Sequence, residues 1–260
     1  MQRFADRRVI VTGAGSGIGR ATVARLLDEG ATVVAYDIGA DGLAGTATAA
    51  DDAGTSKRLT TAVLDVASED AVAAAVDGAV ADLGGLEVLV NAAAIQRCAH
   101  THEHTLADWN ATLAVNLTGT FLMIRQALPA LLSSGRGVVV NFTSTAATFA
   151  HPYMLAYAAS KGGVLSMTHS LALEYSKQGL RAVNIQPGGV STALALSTLD
   201  KMPQEYDLGL WAKQTPLLHG RESEILGDPS AVASVIAMVA SDDGAFITGT
   251  EIRVDGGAHA

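Results

Sequence analysis

The stretch Thr12-Gly13-Ala14-Gly15-Ser16-Gly17-Ile18-Gly19 decides how the rest of the chain is read. It follows the apolar run 8–12 and precedes a segment of helical length, so it reads as strand, glycine-rich turn and helix start. Glycines let a backbone turn tightly and approach a ligand without a Cβ in the way. The helix that follows aims free N–H groups and the positive end of its dipole at the same point, where a pyrophosphate fits. Glycine-rich turns are common, and the plain alternative is a tight turn with no ligand. The setting, at the head of a βαβ unit, is what gives this one weight.

Outward from the turn, further apolar runs lie at 32–36, 58–64, 86–90, 137–141, 181–185 and 251–254. Near-continuous apolar runs bounded by turn residues are the pattern of buried parallel strands. The segments between them carry helix-start signals. Ser68-Glu69-Asp70 opens an Ala/Val-rich segment, and Thr105 with Asp108 resembles a capping box with Asp in place of Glu. Asp228-Pro229 pairs an N-cap with a proline at the first helical position. The alternation predicts a single doubly wound α/β domain over 1–260, a seven-stranded parallel sheet with helices on both faces and a ligand across the carboxyl ends of the strands. The long irregular stretch 191–226 carries Leu194, Leu196, Leu199, Met202, Tyr206, Leu208 and Trp211. It reads either as a pair of amphipathic helices completing the core or as a lid over an apolar substrate.

Composition excludes several classes. With 49% hydrophobic and 17% charged residues over 260 positions, the chain is not disordered. A net charge of −9 without a basic block argues against a nucleic-acid surface. The single cysteine, Cys98, excludes an internal disulfide and a multi-cysteine zinc site. No run of 18 apolar residues and no signal-peptide pattern are present, so a cytoplasmic protein without a membrane span is expected.

Two constellations carry chemistry. The second apolar run ends in Ala35-Tyr36-Asp37-Ile38. An acid at that place can accept hydrogen bonds from a ribose 2′-hydroxyl and would repel a 2′-phosphate. No Arg or Lys lies in 13–19 and Ile38 is neutral, so NAD is favoured over NADP. The second constellation is Tyr157 and Lys161, four apart and therefore on one face of a helix. Free tyrosine titrates near ~10, too high for a base at neutral pH, and a lysine cation beside it would favour the phenolate. The pair would then act as a general acid/base.

Together these motifs make the chain resemble the compact, single-domain branch of the short-chain dehydrogenase/reductase family, over residues 8–257. The glycine turn matches the family's Thr-Gly-x-x-x-Gly-x-Gly through Gly13, Ser16, Gly17, Ile18 and Gly19. Asp65-Val66 stands at the adenine-contacting pair, and Asn91 and Ala93 in the fourth-strand motif. Asn116 falls in the long following helix, Ser144 thirteen residues before Tyr157, and Pro187, Gly188, Val190 and Thr192 after the sixth run. The resemblance implies a Rossmann domain that binds NAD and a homotetramer built on the long helices around Asn116 and Tyr157 and on the last strand. It also implies roles. Tyr157 exchanges the proton of the substrate hydroxyl, and Lys161 depresses its pKa and holds the nicotinamide ribose. Ser144 bonds the substrate oxygen, Asn116 places a water that relays the proton, and Val190 and Thr192 fix the carboxamide. No metal is needed.

The chain also departs from the family. Where Asn-Asn-Ala-Gly is usual it has Asn91-Ala92-Ala93-Ala94, which loses a side-chain hydrogen bond at Ala92 and adds a methyl at Ala94. His100, His102 and His104 would share one face of an extended segment and could hold a transition metal, but a solvated loop is the expected reading. His151, between Ser144 and Tyr157, and Gln96 and Arg97, past the fourth run, stand where a polar substrate group could be met. The expected activity is NAD-dependent oxidation of a secondary alcohol, or reduction of the matching ketone, on an apolar or mixed substrate. A 3-oxoacyl-thioester reductase is the alternative within the family; Asp37 and the scarcity of basic residues in 162–178 weigh against it. A catalytically inactive NAD-sensing scaffold on the same fold would be expected to lose one of Asn116, Ser144, Tyr157 and Lys161.

Overall fold

The computed structural model describes residues 2–218 and 225–260. Seven strands, β1 (Arg8–Thr12), β2 (Thr32–Asp37), β3 (Leu59–Val63), β4 (Val88–Asn91), β5 (Val138–Phe142), β6 (Arg181–Pro187) and β7 (Thr250–Val254), form one sheet in the order 3-2-1-4-5-6-7. Every pairing is parallel. Each strand coincides with one of the apolar runs to within two residues at either end. The doubly wound Rossmann arrangement expected from the sequence is therefore the fold.

Alternate residues of the central strands feed two cores. Val9 and Val11 of β1 pack with Val23, Leu26 and Leu27 of α1 (Gly17–Asp28) and with Val232 and Ile236 of α9 (Pro229–Ala240). Ile10, between them, joins Val72 and Val76 of α3 (Glu69–Leu83) and Met123 and Leu131 of α5 (Thr120–Ser133) on the other face. α2 (Ala40–Asp52) lies on the first face beside α1, while α4 (Leu106–Leu113) and α6 (Leu155–Tyr175) lie on the second. The order reverses between β1 and β4, and there the carboxyl ends of the strands open a crevice.

The start signals act largely as read. Ser68 accepts the Ala71 N–H, and Asp228 accepts the Ser230 N–H with Pro229 at the first helical position. Thr105 accepts the Asp108 N–H at 3.0 Å, but the box does not close. The Asp108 carboxylate, one methylene short of Glu, accepts a hydrogen bond from the Thr105 hydroxyl at 2.8 Å instead of reaching back to the backbone.

The described part of the stretch 191–226 does not form a pair of core-completing helices. Within its described part it makes only single turns, α7 (Ala193–Leu196), α8 (Leu208–Trp211) and two 3₁₀ turns, and Leu196, Leu199, Leu208, Leu210 and Ile225 stay exposed. Its remaining part, 219–224, lies outside the described residues. The two ends of the excursion are tied together: Ser191 donates its N–H to Gly227 O at 2.8 Å and Gly227 donates to Gly189 O at 2.9 Å. No helix among the described residues is long and apolar enough to cross a membrane.

Candidate active site

A cleft of about 1080 Å³ runs along the carboxyl ends of the strands. Small-molecule sites span ~300–1,000 Å³, so this one has room for a dinucleotide and a second molecule. Its floor is the glycine turn. Gly13 has φ +66°, and a Cβ there would stand 2.7 Å from the Ala92 backbone, so only glycine lets β1 and β4 close on each other. A Cβ on Gly17 would meet Thr192 Cγ2 at 2.9 Å across the cleft. At the start of α1, Ser16 makes no side-chain cap bond and the first turn holds no acid. The helix therefore presents its N–H groups and an unspent hydroxyl to the cleft, a donor set that suits a pyrophosphate.

Asp37 closes one end. Its carboxylate accepts the Gly15 N–H at 2.8 Å and the Gly39 N–H at 2.9 Å, which fixes a negative charge on the rim beside the glycine turn. Asp65, Val66 and Ile38 line the same end. Arg20 directly follows the last glycine. Its guanidinium turns beneath the turn onto Gly15 O, Gly42 O and Thr46 Oγ1, and so braces the loop. It offers no cation for a 2′-phosphate.

The end of β4 is held by side chains from three sides. Thr12 Oγ1 accepts the N–H groups of Ala92 (3.2 Å) and Ala93 (3.3 Å). Asn91 is buried. Its amide donates to Asn141 Oδ1 at 2.8 Å inside the sheet and so ties β4 to β5. Asn116 is fully buried in a π-helical turn, Ala114–Gly119, between α4 and α5. Its Oδ1 accepts the Ile95 N–H at 2.8 Å, and its Nδ2 donates to Ile95 O (2.9 Å) and Ser160 Oγ (3.1 Å). The carboxamide is thus spent on protein groups, and a relay water at Asn116 would have to be held by the main chain.

Ser144, just past β5, and Tyr157, on the first turn of α6, line the same cleft, with the Ser144 hydroxyl near enough to favour the phenolate. Lys161 follows one turn later, its Nζ 5.7 Å from the Tyr157 ring centroid and donating to Phe142 O at 2.8 Å. The Tyr-x-x-x-Lys spacing predicts a depressed Tyr157 pKa. In the structure, burial pushes the phenol above its ordinary value and the Ser144 hydroxyl only partly opposes this. The lysine stands over the ring, and burial pulls its own pKa down to about 8.

Pro187, Gly188, Val190 and Thr192 line the wall opposite the glycine turn, and Thr192 also caps α7 through the Ala195 N–H. Beyond Tyr157 the walls are Ile95, Gln96, Met154 and His151 on one side and Leu194, Leu199, Leu208, Trp211 and Gln214 of the excursion on the other. His151 is bonded inside the protein, with Nδ1 on Phe149 O (3.1 Å) and Nε2 on Thr145 Oγ1 (3.2 Å), and stacks on His259. A carbonyl only accepts, so Nδ1 carries the proton and Nε2 takes the Thr145 hydroxyl; burial lowers the His151 pKa. Of the three clustered histidines, His100 and His102 stack at 5.9 Å between ring centroids. His100 packs against Tyr153 and bonds Gln204 O, His102 points to solvent, and no metal-holding group occurs among the described residues.

Comparison with known proteins agrees with this geometry. The family model described as short chain dehydrogenase matches residues 7–203. A cis-4-hydroxycyclohexanecarboxylate dehydrogenase from Sinomonas cyclohexanicum is 37% identical over 260 residues, covering 100% of this chain and 99% of that one. A D-threitol dehydrogenase from Mycolicibacterium smegmatis is 36% identical, covering 98% and 94%. Among solved structures, a short chain dehydrogenase from Mycobacterium paratuberculosis bound to NAD superposes with a TM-score of 0.89 at 27% identity, covering 98% of each chain.

Proposed function

Because the chain belongs to the short-chain dehydrogenase family, we propose that it is an NAD-dependent oxidoreductase interconverting a secondary alcohol and its ketone. The observation that carries this is the trio Ser144, Tyr157 and Lys161, gathered on one wall of a cleft whose floor is a glycine-lined helix N-terminus.

Gly13, Ser16, Gly17, Ile18 and Gly19 would hold the pyrophosphate, and Asp37 the adenosine ribose. Asp65 and Val66 would flank the adenine, and Ala93 would meet the cofactor through the β4 end. Pro187, Gly188, Val190 and Thr192 would fix the nicotinamide end. When bound, the nicotinamide takes up the carbinol's carbon-bound hydrogen with its electron pair, or returns it in the reverse direction. Oxidation also removes the proton on the carbinol oxygen, leaving a ketone, and Tyr157 Oη accepts that proton. In reduction Tyr157 donates it back, the direction that suits a phenol whose pKa burial has raised. Ser144 Oγ bonds the substrate oxygen and steadies the charge that gathers on it. Lys161 supplies a buried ammonium beneath the phenol, and Asn116 acts as a positioning residue through Ile95 and Ser160. The excursion 191–226 serves as the substrate lid, tied at its base by Ser191, Gly189 and Gly227.

Two further features support the physiological setting. One free, half-buried cysteine suits the reducing cytoplasm. An unpaired β7 edge, a fully exposed Phe246 and the exposed Leu155 and Leu173 of α6 suit assembly into a homotetramer.

The test is NADH formation by the purified protein on a panel of secondary alcohols, with NADP in parallel and Tyr157→Phe beside the wild type. Wild type turns over with NAD. Tyr157→Phe loses activity by at least ~10²-fold, while NAD binding by fluorescence quenching persists. Turnover retained by the variant would remove Tyr157 from its role.

A further inference from the structure

We infer that Gln96 is a specificity-determining residue, and that the preferred substrates are uncharged, apolar-bodied secondary alcohols bearing a second hydroxyl. This rests on the dehydrogenase reading and deepens it. Gln96 lines the substrate end of the cleft and is 7% exposed. Its backbone is fixed because Asn116 clasps both polar groups of the preceding Ile95. Its side-chain amide is fixed by sulfur: Nε2 lies 3.3 Å from Met154 Sδ and 3.6 Å from Cys98 Sγ. A thioether has no hydrogen to give, so the group facing Met154 must be the NH₂. Oε1 is therefore the end left over, and no described residue donates to it.

That oxygen is open to the cleft, so a ligand that displaces water from it must supply a donor or leave it unpaired. A hydroxyl supplies the donor. An ether or ketone oxygen at the same place would set acceptor against acceptor. The rest of this end of the cleft is Met154, Leu194, Leu199, Leu208 and Trp211, which favours an apolar frame. Asp37, Asp65 and Lys161 are the only charged residues among the described lining. The first two sit at the adenosine end and Lys161 lies under Tyr157, so nothing described there would pair with a carboxylate or phosphate on the substrate.

The experiment uses matched triplets (mono-alcohol, diol and the diol's monomethyl ether) on cyclohexane, menthane and decalin frames, with NAD and the wild-type protein. The diol is expected to exceed its ether in kcat/KM by about tenfold or more on at least one frame. Gln96→Met, which keeps the volume and removes the acceptor, brings the diol-to-ether ratio to about one. Gln96→Glu, which keeps an oxygen toward the cleft, retains a ratio above one. Turnover of alcohols with equal diol and ether efficiencies, or a ratio unchanged in Gln96→Met, would overturn the assignment of Gln96 and leave the dehydrogenase intact. Silence on every alcohol, with NAD still bound, would overturn the dehydrogenase reading and this one with it.

Discussion

Asn116 clasps Ile95 from both sides, accepting its N–H at 2.8 Å and donating to its carbonyl at 2.9 Å. The two residues are 21 apart in sequence, and neither hydrogen bond belongs to a helix or sheet ladder. Asn116 sits where the chain from α4 to α5 passes through a π turn, so the clasp joins a helix irregularity to the end of β4 at the cleft. Removing it leaves two part-buried backbone groups unpaired, each worth up to ~1–3 kcal/mol. Asn116→Ala should lower the unfolding free energy by about 2–4 kcal/mol in urea, with the slope unchanged. A loss below about 0.5 kcal/mol would show that the Ile95 groups find other partners.

Asp37 tests the cofactor reading. Its two oxygens are oriented by the N–H groups of Gly15 and Gly39, so the charge is preorganised at the rim. Asp37→Ala should weaken NAD binding and tighten NADP binding, narrowing the ratio of their dissociation constants by about tenfold or more, as measured by fluorescence titration. An unchanged ratio would place the selectivity elsewhere in the cleft.

Much of this architecture is legible in the sequence because its signals are local. The run 8–12 is β1 to the residue, and each glycine of 13–19 lies in one strand–turn–helix unit. What escapes is set by long-range geometry. Nothing near Asn91 says that its amide turns toward Asn141, 50 residues on. The sulfurs that orient Gln96 come from Cys98 and from Met154, on another loop. The sign of the Tyr157 shift also depends on burial, which a Tyr-x-x-x-Lys spacing does not encode. Arg20 was open to discovery, since it abuts the glycine motif, but its downward direction follows from the packing of α1 on α2.

Two glycines should respond oppositely to alanine. Gly13 combines φ +66° with a Cβ position 2.7 Å from backbone, so Gly13→Ala should cost at least about 2 kcal/mol and abolish NAD binding. Gly78, in the middle of α3, has open space around its Cβ position and no positive φ, so Gly78→Ala should raise stability by about 0.5–1 kcal/mol. Thermal unfolding of both variants checks the pair. A destabilised Gly78→Ala would mean that the exposed face of α3 is covered in solution.

Lys161 should cost the fold stability in a pH-dependent way. Burial lowers its pKa from 10.5 to about 8, so between those values the folded protein binds fewer protons than the unfolded chain. Stability attributable to this group therefore rises with pH across that window, and below it the wild type carries the full cost of a buried ammonium, roughly 3 kcal/mol. Lys161→Met removes the charge and loses one hydrogen bond, to Phe142 O. The variant should be more stable than wild type by about 1–3 kcal/mol at about pH 7, the gap closing as the pH approaches the ordinary lysine value. Urea unfolding of both proteins across this range provides the comparison. A gap that does not move with pH would show that the Phe142 carbonyl compensates the ammonium and that its pKa is not lowered. A gap that closes would mean that a dehydrogenase cleft keeps its cation at the expense of the fold, as expected where a charge is retained for chemistry rather than for packing.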